Sequence, residues 1–406
     1  MEQKKNNHLL RRTLVPLLIV ALPISAMIAY ILYYKHARRL DALAPQSVSE
    51  SVTFGEDSWP IFRGDAALTG RAVGNLPDAL TLAWKFQTKD AVRSAPIAAE
   101  TKVFVSSMDK YLYAIDLVAG TEIWKFEADD ELEAAPLYHK GALYIGSNSG
   151  TFYAIHSGNG EPIWSFKADG KITGSANIAI HPNTNRAVVL FGCYDNNLYC
   201  LDAETGELAF KHAAESYING SIAIADNAAA FGSCDANIYQ VPIDDPNAVK
   251  TIDAGSYVAA NPAIDGGTIF AGSYEGTLLA ADIKTQNILW RFDEGQNAFF
   301  SSPAVNDSVV VVGCRDENVY CFDRVTGDKL WAFSAQAAFD SSPVICDDKV
   351  AIGCDDGRLY LLDIATGNEV FSYTLGNPIL SSPAIVQNHL LIGCDNGIVY
   401  AFIEKP

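Results

Sequence analysis

The chain has 406 residues, with 48 acidic side chains, 29 basic ones and a net charge of −19. Its first 80 residues hold nine bases against seven acids, so the whole acidic excess lies beyond them. A main domain charged in this way repels phosphate backbones and anionic headgroups, which argues against nucleic acid and anionic lipid as its partners. Residues 13–34 carry no charge and at about 1.5 Å per residue are long enough to span a bilayer. They predict an uncleaved transmembrane helix inside an anchor of residues 1–39. A cleavable signal peptide would have a shorter apolar core and a small-x-small site close behind it. Here the first such site, Ala42-Leu-Ala44, lies beyond Lys35, Arg38 and Arg39. Lys4, Lys5, Arg11 and Arg12 on the N-terminal side outnumber those three bases, which places that end inside and the rest of the chain outside. Residues 40–58 read as a polar linker, and residues 59–406 as one domain.

From about Leu82 onward the sequence repeats. Each copy has a small-small-Pro start, a Gly-[Ser/Cys]-x-[Asp/Asn]-[Gly/Asn] turn, a Tyr-containing strand, then Asp-x-x-Thr-Gly and Trp-x-Phe. The turns begin at Ser106, Gly146, Gly192, Gly232, Gly272, Gly313, Gly353 and Gly393. The spacing is 40 or 41 residues except for one step of 46, lengthened by the polar insert His181-Pro-Asn-Thr-Asn-Arg186. The seventh copy splits into four strands, 341–346, 349–353, 358–363 and 369–373, separated by Asp-Asp and Thr-Gly turns. Eight such units predict an all-β, eight-bladed β-propeller of four-stranded antiparallel blades. The last copy has no Trp-x-Phe strand, and Trp84-Lys-Phe86 has no copy of its own. The last blade is therefore expected to take its outer strand from residues 81–87, closing the ring and removing free sheet edges. Trp84, Trp124, Trp164, Trp290 and Trp331 share one register position, which predicts packing between neighbouring blades.

Candidate chemistry is sparse. Acidic turns at Asp109, Asp195, Asp235, Asp316, Asp356 and Asp395 each offer one or two carboxylates, too few for the six to eight oxygens Ca²⁺ requires, and read as hairpin-turn chemistry. Cys193, Cys314, Cys354 and Cys394 stand where other copies have Ser. Cys193/Cys200 and Cys314/Cys321 are spaced so that a two-residue turn would set each pair opposite and permit a disulfide. A three-residue turn with a bulge would offset them and forbid it. No zinc, nucleophile or phosphate-loop pattern appears, so no catalytic residue, metal ligand or cofactor is assigned. The repeat loses its uniformity just before the small-small-Pro strands, at Arg93, Glu133, Gly174, Gly220, Ala259, Phe300, Asp340 and Leu380. Departures from a repeat at a loop are where a binding surface is grafted. Arg93, Glu133, Phe299, Phe300, Asp340 and Leu380 are the candidate partner-binding residues, and few aromatics are expected around the channel mouth.

Trp59-Pro-Ile-Phe-Arg-Gly64 and Leu68-Thr-Gly70, followed by blades such as Leu112-Tyr-Ala-Ile-Asp116 with Trp124-Lys-Phe126, resemble the pyrroloquinoline-quinone (PQQ)-like repeat propellers over residues 59–404. The resemblance implies eight blades and two possible functions. Quinoprotein dehydrogenases of the family hold PQQ and Ca²⁺ at the ring centre. They are larger, have long insertions, and many carry an adjacent Cys-Cys pair that this chain lacks. The non-catalytic members are protein-binding propellers of the BamB-like outer-membrane assembly class, similar to this chain in size and compact loops. The expectation is a non-catalytic scaffold or assembly factor, single-pass in the bacterial inner membrane, with the propeller in the periplasm and a protein partner in or near that membrane; the alternative is a PQQ-dependent oxidoreductase or a small-ligand-binding propeller.

Overall fold

The computed structural model describes residues 58–258 and 260–405. Among them no helix is long and apolar enough to cross a membrane; the expected span at 13–34 and nearly all of the linker lie outside the described residues. The repeats form eight four-stranded sheets. Seven of these sheets lie within residues 97–127, 137–167, 177–213, 223–253, 263–292, 304–334 and 344–374. The eighth joins 384–404 to 80–87, and we number them blades 1 to 8. Innermost strands of successive blades touch, and blade 8 touches blade 1, so the ring is closed. Its closing strand is Leu80–Gln87, antiparallel to Ile398–Glu404, with Leu80 opposite Glu404 and Gln87 opposite Ile398.

Blade 7 shows the unit: Val344–Cys346, Lys349–Gly353, Arg358–Asp363 and Glu369–Thr374. Its first strand begins three residues later than the sequence suggests. Pro343 has no N–H to give a ladder, and Ser341 and Ser342 bond to the next blade instead. The outer strand carries a bulge before its aromatic, as at Ile123, where Ile115 faces Glu122 and Ala114 faces Trp124. Two residues against one bend the strand and re-aim the tryptophan. The same bulge accounts for the exposed apolar residues Ile123, Leu289, Leu330 and Val370.

Each re-aimed tryptophan lies over the glycine of the turn before the outer strand of the next blade. The Trp84 indole N–H donates to the Leu117 carbonyl at 2.9 Å, Trp124 to Ser157 at 3.1 Å, Trp290 to Arg324 at 2.9 Å and Trp331 to Ile364 at 2.8 Å. A Cβ on Gly120 would stand 2.5 Å from the Trp84 ring, and its φ is +67°, so this turn requires glycine on two counts. The Trp–Gly pairing of the repeat is thus a contact between blades, as its register implies.

The hairpin turns are three-residue loops. Cys193 N–H bonds to Asn197 O and Asn196 N–H to Cys193 O, with Asn196 at φ +71°. That is a tight turn followed by a left-handed residue. It places Cys200 opposite Leu190, and Cys321 opposite Val311, so neither Cys193/Cys200 nor Cys314/Cys321 faces its mate. Neither of the two possible disulfides is formed, and all eight cysteines are free thiols. Cys314 and Cys354 donate to loop carbonyls (Asn297 at 3.3 Å, Ala337 at 3.5 Å) as Ser107 does to Asp90. Burial pushes Cys193 and Cys314 up to about 12, so both stay protonated and unreactive.

One element was not expected. Residues 59–72 run around the inside of the ring and meet seven blades in turn. Trp59 and Ala98 exchange two hydrogen bonds at 2.8 Å. Pro60 O then accepts from Tyr138, Ala66 O from Ile224 and Asn177, Ala67 O from Ile264, Thr69 O from Val305 and Gly70 O from Ile345. Arg71–Ala72 finally adds a parallel strand inside blade 7. These bonds satisfy the inward edge of the inner strands, which would otherwise stay unpaired. Arg63, 1% exposed, joins two blades by donating to the Pro343 and Pro303 carbonyls, the second at 2.8 Å.

Candidate binding site at the open mouth

At one end of the ring, the loops that precede the inner strands surround a cavity of about 190 Å³, with Phe62 of the inner segment among its lining residues. Arg93, Glu133, Gly174, Gly220, Phe300, Asp340 and Leu380 all line it, so the repeat-breaking positions do converge; Ala259 lies outside the described residues. Phe299 is a correction. It is fully buried in the core between blades, against Tyr320, because its register position is the one that packs on the turn glycine of its blade, here Gly272. It cannot present itself to a partner.

Below the rim, hydroxyls tie blade to blade. The N–H of Ala135 donates to Ser175 Oγ, Ser175 to Ser221 Oγ, Ser302 to Ser342 Oγ and Ser342 to Ser382 Oγ. Asn261 bridges the middle, accepting from Ser221 N–H and donating to Ser302 Oγ at 2.8 Å. The small-small-Pro signature is therefore a belt of polar atoms held by the ring itself.

Above the belt, every hairpin turn is fastened to a loop through its x residue. Asn148 N–H bonds to Glu131 O, Tyr194 to Lys171, Cys234 to Tyr217, Tyr274 to Tyr257, Arg315 to Ala298, Asp355 to Ala338 and Asp395 to Pro378. The main chain is uniform here and the side chains are free to differ, so the rim has a composition of its own. Blades 3 to 6 carry an aromatic arc: Tyr194 stacks on Tyr217 at 5.4 Å, and Tyr274 touches Tyr257 at 5.4 Å and Phe300 at 5.9 Å. Tyr217, Tyr257 and Tyr274 are 51%, 51% and 50% exposed. The expectation of few aromatics at the mouth is overturned. These tyrosines stand in the x position and its loop partner, and no single stretch of sequence gathers them.

The rest of the rim is charged. Arg315 lies over the Phe300 ring at 3.8 Å and binds both Asp340 oxygens at 2.7 and 2.6 Å. Arg93 binds Asp395 at 3.2 Å. Asp395 is thus one residue out of the turn register; Asn396 occupies the acidic position in blade 8, beside Tyr400. The true turn carboxylates are already engaged: Asp195 accepts from Asn197 N–H at 3.0 Å and from Tyr199 OH at 2.6 Å. Asp355 has no cation of its own. Burial and the neighbouring Asp340 and Asp395 carboxylates push it up to about 6.

Asp355 yields a prediction. Its native pKa lies above the unfolded one, so its charge costs stability fully above about pH 6 and not at all below about pH 4. Asp355→Asn should therefore stabilise the protein at pH 7.5, by about 1 kcal/mol once solvent screening is allowed for. The gain should fade between pH 6 and pH 4. The charged groups facing it are Asp340, Asp356, Asp395 and Arg315, and denaturant midpoints at several pH values read the effect directly.

A larger cavity, about 430 Å³, lies beside the 181–186 insert, where Arg186 is neutralised by Asp202 at 3.0 Å and Glu204 at 3.5 Å. It gathers fewer blades than the mouth, which collects residues from all around the ring.

A family profile described as beta-alanine-activating enzyme, beta-propeller, matches residues 138–365. Among solved structures, BamB from Moraxella catarrhalis aligns with a TM-score of 0.69 and 17% identity, over 80% of this chain and 98% of that one. Quinohemoprotein alcohol dehydrogenase from Comamonas testosteroni aligns with a TM-score of 0.73 and 14% identity, over 86% and 81%. A europium-containing methanol dehydrogenase reaches 0.75 at 12% identity, over 86% and 98%. No curated protein sequence matches the chain. The ring is shared by BamB and two dehydrogenases, so the fold alone does not choose between binding and catalysis.

Proposed function

Since the chain belongs to the beta-alanine-activating enzyme β-propeller family and is a PQQ-like repeat propeller resembling BamB, we propose that it is a non-catalytic binding propeller, a scaffold or assembly factor for a protein partner. The observation that carries this reading is the mouth: a rigid ring of identical turns presenting a varied rim of side chains. The quinoprotein alternative fits that rim poorly. PQQ is a tricarboxylate and needs cations that are free to pair with it. Both mouth arginines, Arg93 and Arg315, are already held by Asp395 and Asp340, and Glu133 and Asp355 add further negative charge. A tricarboxylate without its Ca²⁺ would meet repulsion there, and among the described residues no group of three or more His, Cys, Asp or Glu is placed to hold that ion.

The apolar stretch at residues 13–34 supplies the second half of the proposal. It tethers the chain to the bacterial inner membrane with the ring in the periplasm. A linker of about 20 residues reaches at most roughly 70 Å, which favours a partner in or near that membrane. Purifying the intact protein from its native membrane in mild detergent, with mass spectrometry of what accompanies it, tests this. A partner in near-equal amount is expected. A partner-free propeller would sink the scaffold reading, and an outer-membrane barrel as partner would overturn the assignment to the inner membrane.

A further inference from the structure

The mouth has a chemical preference. It is rich in acceptors and poor in free donors. Asn148 is nine-tenths buried and spends its amide N–H groups on Glu131 and Glu133, at 3.3 and 2.9 Å, leaving Oδ1 buried without a donor. Asp355 Oδ1 is likewise buried without one. Glu131, Glu133, Asp340, Asp355 and Asp395 outnumber Arg93, Lys171 and Arg315, and each arginine is already spent on a carboxylate. Opposite this acidic arc stand the half-exposed faces of Tyr217, Tyr257 and Tyr274. Aromatic faces and an excess of carboxylates attract the same kind of group, a cation with several N–H donors. Arginine meets both demands, with a planar face for the tyrosines and a donor fork for the acids.

We infer that the mouth docks an extended, arginine-bearing segment of a protein partner, its guanidinium groups placed between the tyrosine arc and the Glu133–Asp355 side of the rim. The occupant follows from charge complementarity and from the form of the surface. The arcs run over successive blades, a span suited to several side chains of one strand and too broad for a single small cation. The inference rests on the scaffold reading and names the chemistry of its partner.

The test uses the full-length protein in detergent and a fluorescein-labelled peptide, Gly-Arg-Gly-Arg-Gly-Arg-Gly, followed by anisotropy at 0.15 M salt. Saturable one-to-one binding is expected, with no binding of the same peptide carrying neutral citrulline for arginine. Binding should weaken about tenfold in the Tyr257→Ala/Tyr274→Ala double variant, the loss of two cation–aromatic contacts, and severalfold in Glu133→Gln. Glu204→Gln, which removes a charge from an exposed site away from the mouth, should change nothing. Equal weakening by Glu204→Gln and Glu133→Gln would mean diffuse attraction to an acidic protein and overturn the inference. Spermidine binding as tightly as the peptide would also overturn it, in favour of a small organic cation. The partner itself separates the two levels. If it co-purifies equally with the double-tyrosine variant, the scaffold reading stands and the mouth is not its dock. If no partner accompanies either protein, the scaffold reading fails first.

Discussion

Arg63→Ala is expected to cost about 3–5 kcal/mol of stability. The substitution strands the Pro303 and Pro343 carbonyls in the interior, at roughly 1–3 kcal/mol each, and leaves a cavity where the side chain had been. Burial pushes the Arg63 guanidinium down to about 9, so it is still charged at neutral pH and its bonds are charge-assisted. Asp65, half-buried beside it and bonded to Thr69, would lose its nearest cation as well. Arg63→Lys should lose less but still be impaired, because one ammonium cannot reproduce a planar fork to two carbonyls. Guanidinium unfolding followed by tryptophan fluorescence measures both. A loss under about 1 kcal/mol for the alanine variant would show that the inner segment lies on the ring without fastening it.

Trp84→Ala should be nearly as damaging, again about 3–5 kcal/mol, and for a reason that can be isolated. Trp84 and Trp331 make the same contact, an indole N–H to a carbonyl and a ring on a glycine turn. Trp331 joins blades 6 and 7, which also follow one another along the chain. Trp84 belongs to the blade whose strands come from both ends of the propeller sequence: its strand runs on covalently into blade 1, but only non-covalent pairing with Ile398–Glu404 holds it to the rest of blade 8. Trp84→Ala should therefore sensitise the ring to protease more than Trp331→Ala does, beyond their difference in melting temperature. Equal sensitivity would mean that the 80–87 strand closes the ring without help from its tryptophan.

Much of the fold was legible because it repeats. A register kept through Tyr113, Tyr199, Tyr320 and Tyr400 announces blades, and the orphan Trp84-Lys-Phe86 announces the seam. The inner segment was hidden because nothing in it repeats. Its hydrogen bonds are made by backbone carbonyls whatever the side chains, and Arg63 acts on prolines 240 and 280 residues away. The cysteine pairing turned on a single residue of loop length, which the left-handed Asn196 settles. At the site, the loop positions before the inner strands could be read as departures from the pattern. Phe299 was misread because it neighbours Phe300, although neighbours in an extended chain point to opposite sides. The tyrosine arc escaped notice because its pairs join a turn to a loop 17 or 23 residues away and meet only on the curved rim.

The inner segment also fixes an order of events. Residues 59–72 and the strand Leu80–Gln87 leave the ribosome before any complete blade, yet their last bonds are to Ile345 in blade 7 and to Ile398–Glu404 in blade 8. At 5–20 residues per second, the wait between making the first half of the seam and the second is roughly 15–60 s. Throughout that time the strand Leu80–Gln87 lacks its partner and blade 1 has a bare apolar face, the features that invite mispairing. Closure of the ring is a long-range step of high contact order that follows synthesis. The native state of every blade thus depends on the strand Ile398–Glu404, so a chain interrupted before it should be rejected whole and not accumulate as a seven-bladed protein.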